Sequence, residues 1–214
     1  MTFNREFLGG TMSDQINPWL SRPTMPPPET DVRAAVISST SGPVAPQRGV
    51  PAPDQVDRLP IIDQLANPAV WWLGAHGGSG ESTLAALAPG WSAAAGHAWP
   101  RSSTGESTPV VIVARSNVVG LRAAQNALRQ WGAGLTASNV LGLVVMADAP
   151  GRMPRALRDL LAVVGGGGPR TWIVPWVDAW RLDEPTASPI PREVQRVIDE
   201  LSALPGIGAA GTSN

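Results

Sequence analysis

The 214-residue chain contains no cysteine, no lysine and no tyrosine, and only two histidines and two phenylalanines. Without cysteine there is no disulfide and no thiolate zinc site, and the redox compartment is left open. Without lysine, all 16 basic residues are arginines, so any cation the chain offers a ligand is a guanidinium. No apolar run reaches the length of about eighteen residues that a membrane-spanning helix needs, and the first residues lack the apolar core of a signal peptide. The expectation is a cytoplasmic protein with no membrane association. A formal net charge of −1 creates no long-range field toward nucleic acid, which is therefore not an expected partner. Abundant Ala, Gly and Pro, with arginine in place of lysine, point to a high-GC, actinobacterial genome.

Proline divides the chain. Residues 1–66 hold ten of the 22 prolines, including Pro26-Pro27-Pro28. Such a segment buries too little apolar surface to offset the entropy of ordering it, so it reads as a disordered arm. Within it "INPWL", Ile16 to Leu20, presents Trp19 and Leu20 as docking side chains for a protein partner, and Met12 is an alternative start. From Ala69 the pattern changes. "AVWWLG" (69–74), "PVVIVAR" (109–115), "VLGLVVMAD" (140–148) and "RTWIVPW" (170–176) carry apolar residues on consecutive positions, as strands buried on both faces do. Helical spacing appears in 82–88, 118–131, 153–164 and 191–204. Strands alternating with helices predict an α/β domain over 67–204, with a small, mainly parallel sheet and helices on both faces. Residues 205–214 read as a flexible tail.

Between the first strand and the first helix lies "AHGGSGEST", Ala75 to Thr83. A glycine-rich turn between a buried strand and a helix turns its backbone N–H groups toward one concavity, where phosphate binds. Gly77, Gly78 and Gly80 permit the wrap, and Ser82 and Thr83 open the helix. In a working loop of this kind position 81 is a lysine on the phosphates and the next hydroxyl ligates magnesium. Here position 81 is glutamate.

The stretch resembles the deviant P-loop of the ParA/MinD group of ATPases, Lys-Gly-Gly-x-Gly-Lys-Ser/Thr-Thr. Aligned on its glycines, His76 stands at the signature lysine, Ser79 at the variable position, Glu81 at the P-loop lysine, Ser82 at the magnesium ligand and Thr83 at the last threonine. "VVIVARSNVVGLRAAQNAL", "LGLVVMADAP" and "TWIVPW" are similar to later strands and helices of that group, so the resemblance spans about residues 70–180. It implies a P-loop NTPase-like fold, ATP with Mg²⁺ as the ligand of a functional loop, and a role near the base for Asp148. The whole chain also resembles an uncharacterised family of short actinobacterial proteins with the same glutamate-substituted loop. Both lysines of the ParA/MinD motif are absent, and between Leu84 and Thr108 the sole acidic residue is Glu106, leaving no clear Walker B aspartate.

Magnitudes weigh against nucleotide. At an effective dielectric near 20, opposite charges about 4 Å apart attract by roughly 4 kcal/mol. Exchanging ammonium for carboxylate turns this into a comparable repulsion, which a helix dipole worth about 0.3–2 kcal/mol does not offset. A carboxylate in the first helical turn can instead accept the loop's own N–H groups and fill the anion site from within. The expectation is a degenerate loop without a bound cofactor, in a protein that binds or scaffolds rather than hydrolyses ATP. The alternative is a nucleotide-dependent switch in which an arginine, with Arg152 as candidate, replaces the lysine.

Other chemistries compete. Ser82 with His97 as base would make a hydrolase, but Leu84 occupies the place where a nucleophile elbow needs glycine. His76, His97 and Glu81 are residue types that ligate zinc, without ligand spacing. Arg152, Arg155 and Arg158, at i, i+3 and i+6, share one helix face, as an anion or nucleic-acid patch or, beside Asp159, as an ordinary solvated face. Trp172, Trp176 and Trp180 are candidates for an exposed partner surface, since nine tryptophans are hard to bury in so small a domain.

Overall fold

The computed structural model describes residues 39–40, 42–103, 105–205 and 207. Trp19, Leu20 and Met12 lie outside the described residues. Eight strands are present among them: β1 (Ser39–Thr40), β2 (Ile61–Asp63), β3 (Trp71–Gly74), β4 (Ser92–Ala93), β5 (Trp99–Arg101), β6 (Pro109–Arg115), β7 (Asn139–Met146) and β8 (Arg170–Val174). Four α-helices accompany them: α1 (Glu81–Leu87), α2 (Val118–Gly132), α3 (Arg155–Gly165) and α4 (Arg192–Ser202).

Six strands form one sheet in the order β1-β8-β7-β6-β3-β4. Every pairing from β4 across to β8 is parallel, and β1 closes the β8 edge antiparallel. Counted along the chain, the five parallel strands run 2-1-3-4-5, a doubly wound order. The order reverses between β3 and β6. The α/β class, the mainly parallel sheet and the helices on both faces are as expected.

Alternation along each strand builds two cores. Trp71, Leu73, Val110, Ile112, Ala114, Leu143 and Val145 face Leu121, Ala124, Leu128 and Trp131 of α2 and Leu161 and Val164 of α3. Trp72, Val111, Val113, Val144, Met146, Trp172 and Val174 face Leu84 and Leu87 of α1 and Val194, Val197 and Leu201 of α4. The neighbours Trp71 and Trp72 thus point to opposite faces, as a period of two requires. Burying each such side chain contributes about 1.5–3 kcal/mol, which is why the strand stretches read as unbroken apolar runs.

Two expectations are corrected. Residues 42–66, assigned to the arm by composition, lie against the domain in a strap. Gln47 N–H donates to Gly132 O, and Arg129 donates to Pro51 O and Ala52 O. Gln130, 2% exposed, pairs with Leu59 through both backbone groups at 2.9 Å, as a neighbouring strand would. Composition missed this because much of the strap's hold comes from polar groups of α2 that bond its backbone, with Leu59 the strap residue packed against the core. At the other end Ile207, placed in the tail, is buried in the α4 core. Residues 99–101 form β5, outside the main sheet. β5 pairs instead with β2 of the strap in a separate two-stranded parallel sheet, and β4 takes the main-sheet edge.

Gln130→Ala should leave the Leu59 N–H and C=O without partners and cost about 1–3 kcal/mol. Hydrogen exchange at Leu59 should accelerate ahead of global unfolding, an effect absent for exposed Arg122→Ala on the same helix.

Candidate functional site

Ligands of doubly wound sheets bind outside the carboxyl ends of the strands, where the strand order reverses. In this chain that place lies between the ends of β3 and β6, and the glycine-rich loop 75–80 occupies it. The loop leaves β3 at Gly74 and enters α1 at Glu81 through Gly80, which is left-handed at φ 105°.

The carboxylate of Glu81 turns inward. It is 8% exposed, and its Oε2 accepts the Ser79 hydroxyl at 2.5 Å and the Gly80 N–H at 3.1 Å. Its Oε1 lies 3.2 Å from Nδ1 of His97, close enough for charge attraction when the imidazole is protonated, though not aligned as a hydrogen bond. His97 is the single described non-glycine residue with a left-handed backbone, φ 49°, a conformation that costs energy and persists only where its surroundings impose it. All three groups crowd over Gly74. A Cβ there would stand 2.7 Å from the Glu81 carboxyl carbon, His97 Nδ1 and Ser79 Oγ. Only glycine leaves room for the carboxylate to fold back.

His76 is committed elsewhere. Its Nε2 accepts the Arg115 backbone N–H at 3.0 Å, so the proton resides on Nδ1, which donates to Gly77 O at 2.9 Å. Gly120, in the first turn of α2, makes this contact possible: a Cβ would meet His76 Nε2 at 2.8 Å and also strike the Arg115 carbonyl. Asn117 caps α2 by accepting the Gly120 N–H at 2.8 Å. His76 therefore ties the glycine-rich loop to the end of β6.

The cation nearest the loop is Arg115, the last residue of β6. Its Nε donates to Gly78 O at 3.0 Å and its Nη1 to Ala147 O at 3.1 Å, joining the loop to the turn after β7. Burial pushes its guanidinium below the usual arginine range, and Arg181 pushes the same way, against the pull of Asp148 and Glu81. Sequence reasoning overlooked Arg115 and named Arg152. The available signal was position: Arg115 ends the strand beside the loop. Arg152 lies in the exposed turn before α3, whose cap is Pro154, so Arg152, Arg155 and Arg158 do not form one helical face. Arg155 pairs with Asp159, and Arg158 donates to Met153 O.

The remaining candidates are dispersed. Ser82 is exposed on α1 and Thr83 half-buried behind it. Gly77 and Gly78 are exposed at the loop tip. Asp148 is exposed two residues beyond β7, its N–H held by Ser116 Oγ. Trp172 is buried and donates to Glu200, so it leaves the expected exposed run; Trp176 and Trp180 remain half-exposed. Among the described residues no three His, Asp or Glu side chains converge as metal ligands, and no hydrogen bond joins Ser82 to a histidine. Ser79, Glu81 and His97 do meet, but the carboxylate stands in the middle. Activation of a serine needs the imidazole there.

A doubly wound α/β domain with a glycine-rich loop at its switch point is the class these observations define. A family model described as a family of unknown function (DUF6668) matches residues 68–198, and the chain belongs to that family. No curated protein and no solved structure matches the chain. Among the described residues no helix is long and apolar enough to cross a membrane.

Glu81→Ala should strand the buried Ser79 hydroxyl and the Gly80 N–H, lowering stability in chemical denaturation by about 1–3 kcal/mol. Ser82→Ala, at an exposed position one residue away, should stay within about 0.5 kcal/mol of wild type.

Proposed function

We propose that the protein is a degenerate, ParA/MinD-like P-loop protein that binds or scaffolds partners in a multi-protein assembly without hydrolysing ATP. The observation carrying this reading is the inward carboxylate of Glu81. It takes up the Ser79 hydroxyl and the Gly80 N–H that a phosphate would otherwise use, and it puts negative charge where phosphate oxygens would sit. Such a loop holds its shape without a ligand. The ion pair that a lysine would supply, roughly 4 kcal/mol near the surface, is replaced by a repulsion of similar size. The partner surfaces of this reading are the amino-terminal segment around Trp19 and Leu20 and the half-exposed Trp176 and Trp180.

One observation favours a second reading, a nucleotide-dependent switch. Arg115 already reaches the loop carbonyl of Gly78 and could serve as the cation that the loop lacks, with Ser82 on magnesium and Asp148 toward the base.

Calorimetric titration of the full chain with ATP, ADP and GTP, each with and without magnesium, separates the two. The first reading expects no heat of binding at millimolar nucleotide. Micromolar, magnesium-dependent binding that Ser82→Ala abolishes would replace it with the second.

A further inference from the structure

His97 Nδ1 is buried and has no hydrogen-bond partner, although a carboxylate oxygen, Glu81 Oε1, stands 3.2 Å away. The two oxygens of that carboxylate differ in what they hold. Oε2 accepts the Ser79 hydroxyl and the Gly80 N–H, while Oε1 faces His97. An ordinary hydrogen-bonded ion pair would turn a ring N–H onto Oε1, and the ring is not aligned for it. Two donors that share a metal ion are misaligned in this way, because each points at the ion rather than at the other. With bonds of about 2.0–2.1 Å, neighbouring ligands of a tetrahedral ion lie about 3.3 Å apart, close to the spacing found here.

The surroundings hold both donors in place. His97 keeps a left-handed backbone, φ 49°, which persists only where neighbouring structure imposes it. The fully buried Ser79 and the Gly80 N–H fix the carboxylate through its other oxygen, as outer-shell partners of metal ligands do. Gly74 keeps the space between the donors open: a Cβ there would stand 2.7 Å from His97 Nδ1, the Glu81 carboxyl carbon and Ser79 Oγ. The His97 side chain is 38% exposed, so an ion can enter from solvent and keep water ligands. Composition removes the rivals. The chain has no cysteine and two histidines, and His76 already uses both ring nitrogens. One imidazole with one carboxylate suits zinc and its transition-metal neighbours, whereas magnesium and calcium prefer oxygen ligands throughout.

We propose that Glu81 Oε1 and His97 Nδ1 bind one divalent transition-metal ion of the zinc type, with water in its remaining positions. Two protein ligands, rather than the four of a structural zinc site, make this an exchangeable ion that the folded domain takes up. The site goes beyond the scaffold reading and needs no nucleotide.

Two measurements on the full chain test it. Calorimetric titration with zinc chloride should show one ion bound per chain, and magnesium chloride at the same concentration should give no heat of binding. Ring-nitrogen NMR spectra of the ¹⁵N-labelled protein, which has two imidazoles to resolve, should show His97 shifting on addition of zinc while His76 stays in place. His97→Gly, which suits the left-handed backbone, should weaken zinc binding about tenfold or more, and Glu81→Gln, which keeps an acceptor for Ser79, should do the same. Absence of zinc binding, a shift of His76 without His97, or unchanged affinity in both variants would overturn the proposal. Should either variant fail to fold, the spectra of the wild-type protein decide. The nucleotide titrations contain no zinc, so this proposal and the scaffold reading can each fail alone.

Discussion

The central strands β3, β6 and β7 are covered on both faces, which leaves their carboxyl ends as the place where polar side chains can collect. Each residue of these strands must suit one core or the other, so Trp71 serves the α2–α3 side while Trp72 serves α1–α4. Charged groups are driven past the strand ends, and Arg115 and Asp148 stand where that happens. The reversal of strand order between β3 and β6 adds a crevice at the same edge. The glycine-rich loop with His76, His97 and Arg115 are neighbours for this reason, although they come from three separate stretches of chain.

Within that crevice the loop is self-satisfied. Glu81 collects a hydroxyl and a backbone N–H, His76 fastens the loop to β6, and Arg115 fastens it to the turn after β7. The first two depend on the absence of a side chain at a glycine, Gly74 under the carboxylate and Gly120 beside the imidazole. Glycines in such a loop are usually read as room for a ligand. Two of the glycines here make room for the protein's own groups.

The strap illustrates a different economy. Residues 42–66 are rich in proline, whose missing N–H and fixed φ suit an extended segment that presents carbonyls rather than a ladder. Arg129 and Gln130 of α2 use those carbonyls, and β2 then supplies a partner for β5. The order of this segment therefore comes from the helix it lies on.

Local pattern was enough for the α/β class, the apolar strands, the helix positions and the loop, because periodicity and glycine placement act over a few residues. The loss of the lysine and the presence of a carboxylate at position 81 were equally legible. That this carboxylate could turn back onto the loop's own N–H groups followed from its place in the first helical turn, but its meeting with Ser79 and His97 over Gly74 did not, since His97 follows α1 and β4 in the chain. Arg115 rather than Arg152 became the cation at the loop because β6 lies beside β3 in the sheet, a pairing set by long-range packing. The strap escaped composition because its anchors are two side chains more than seventy residues downstream. Short-range chemistry is written in the order of residues; which distant groups share a crevice is decided only when the sheet assembles.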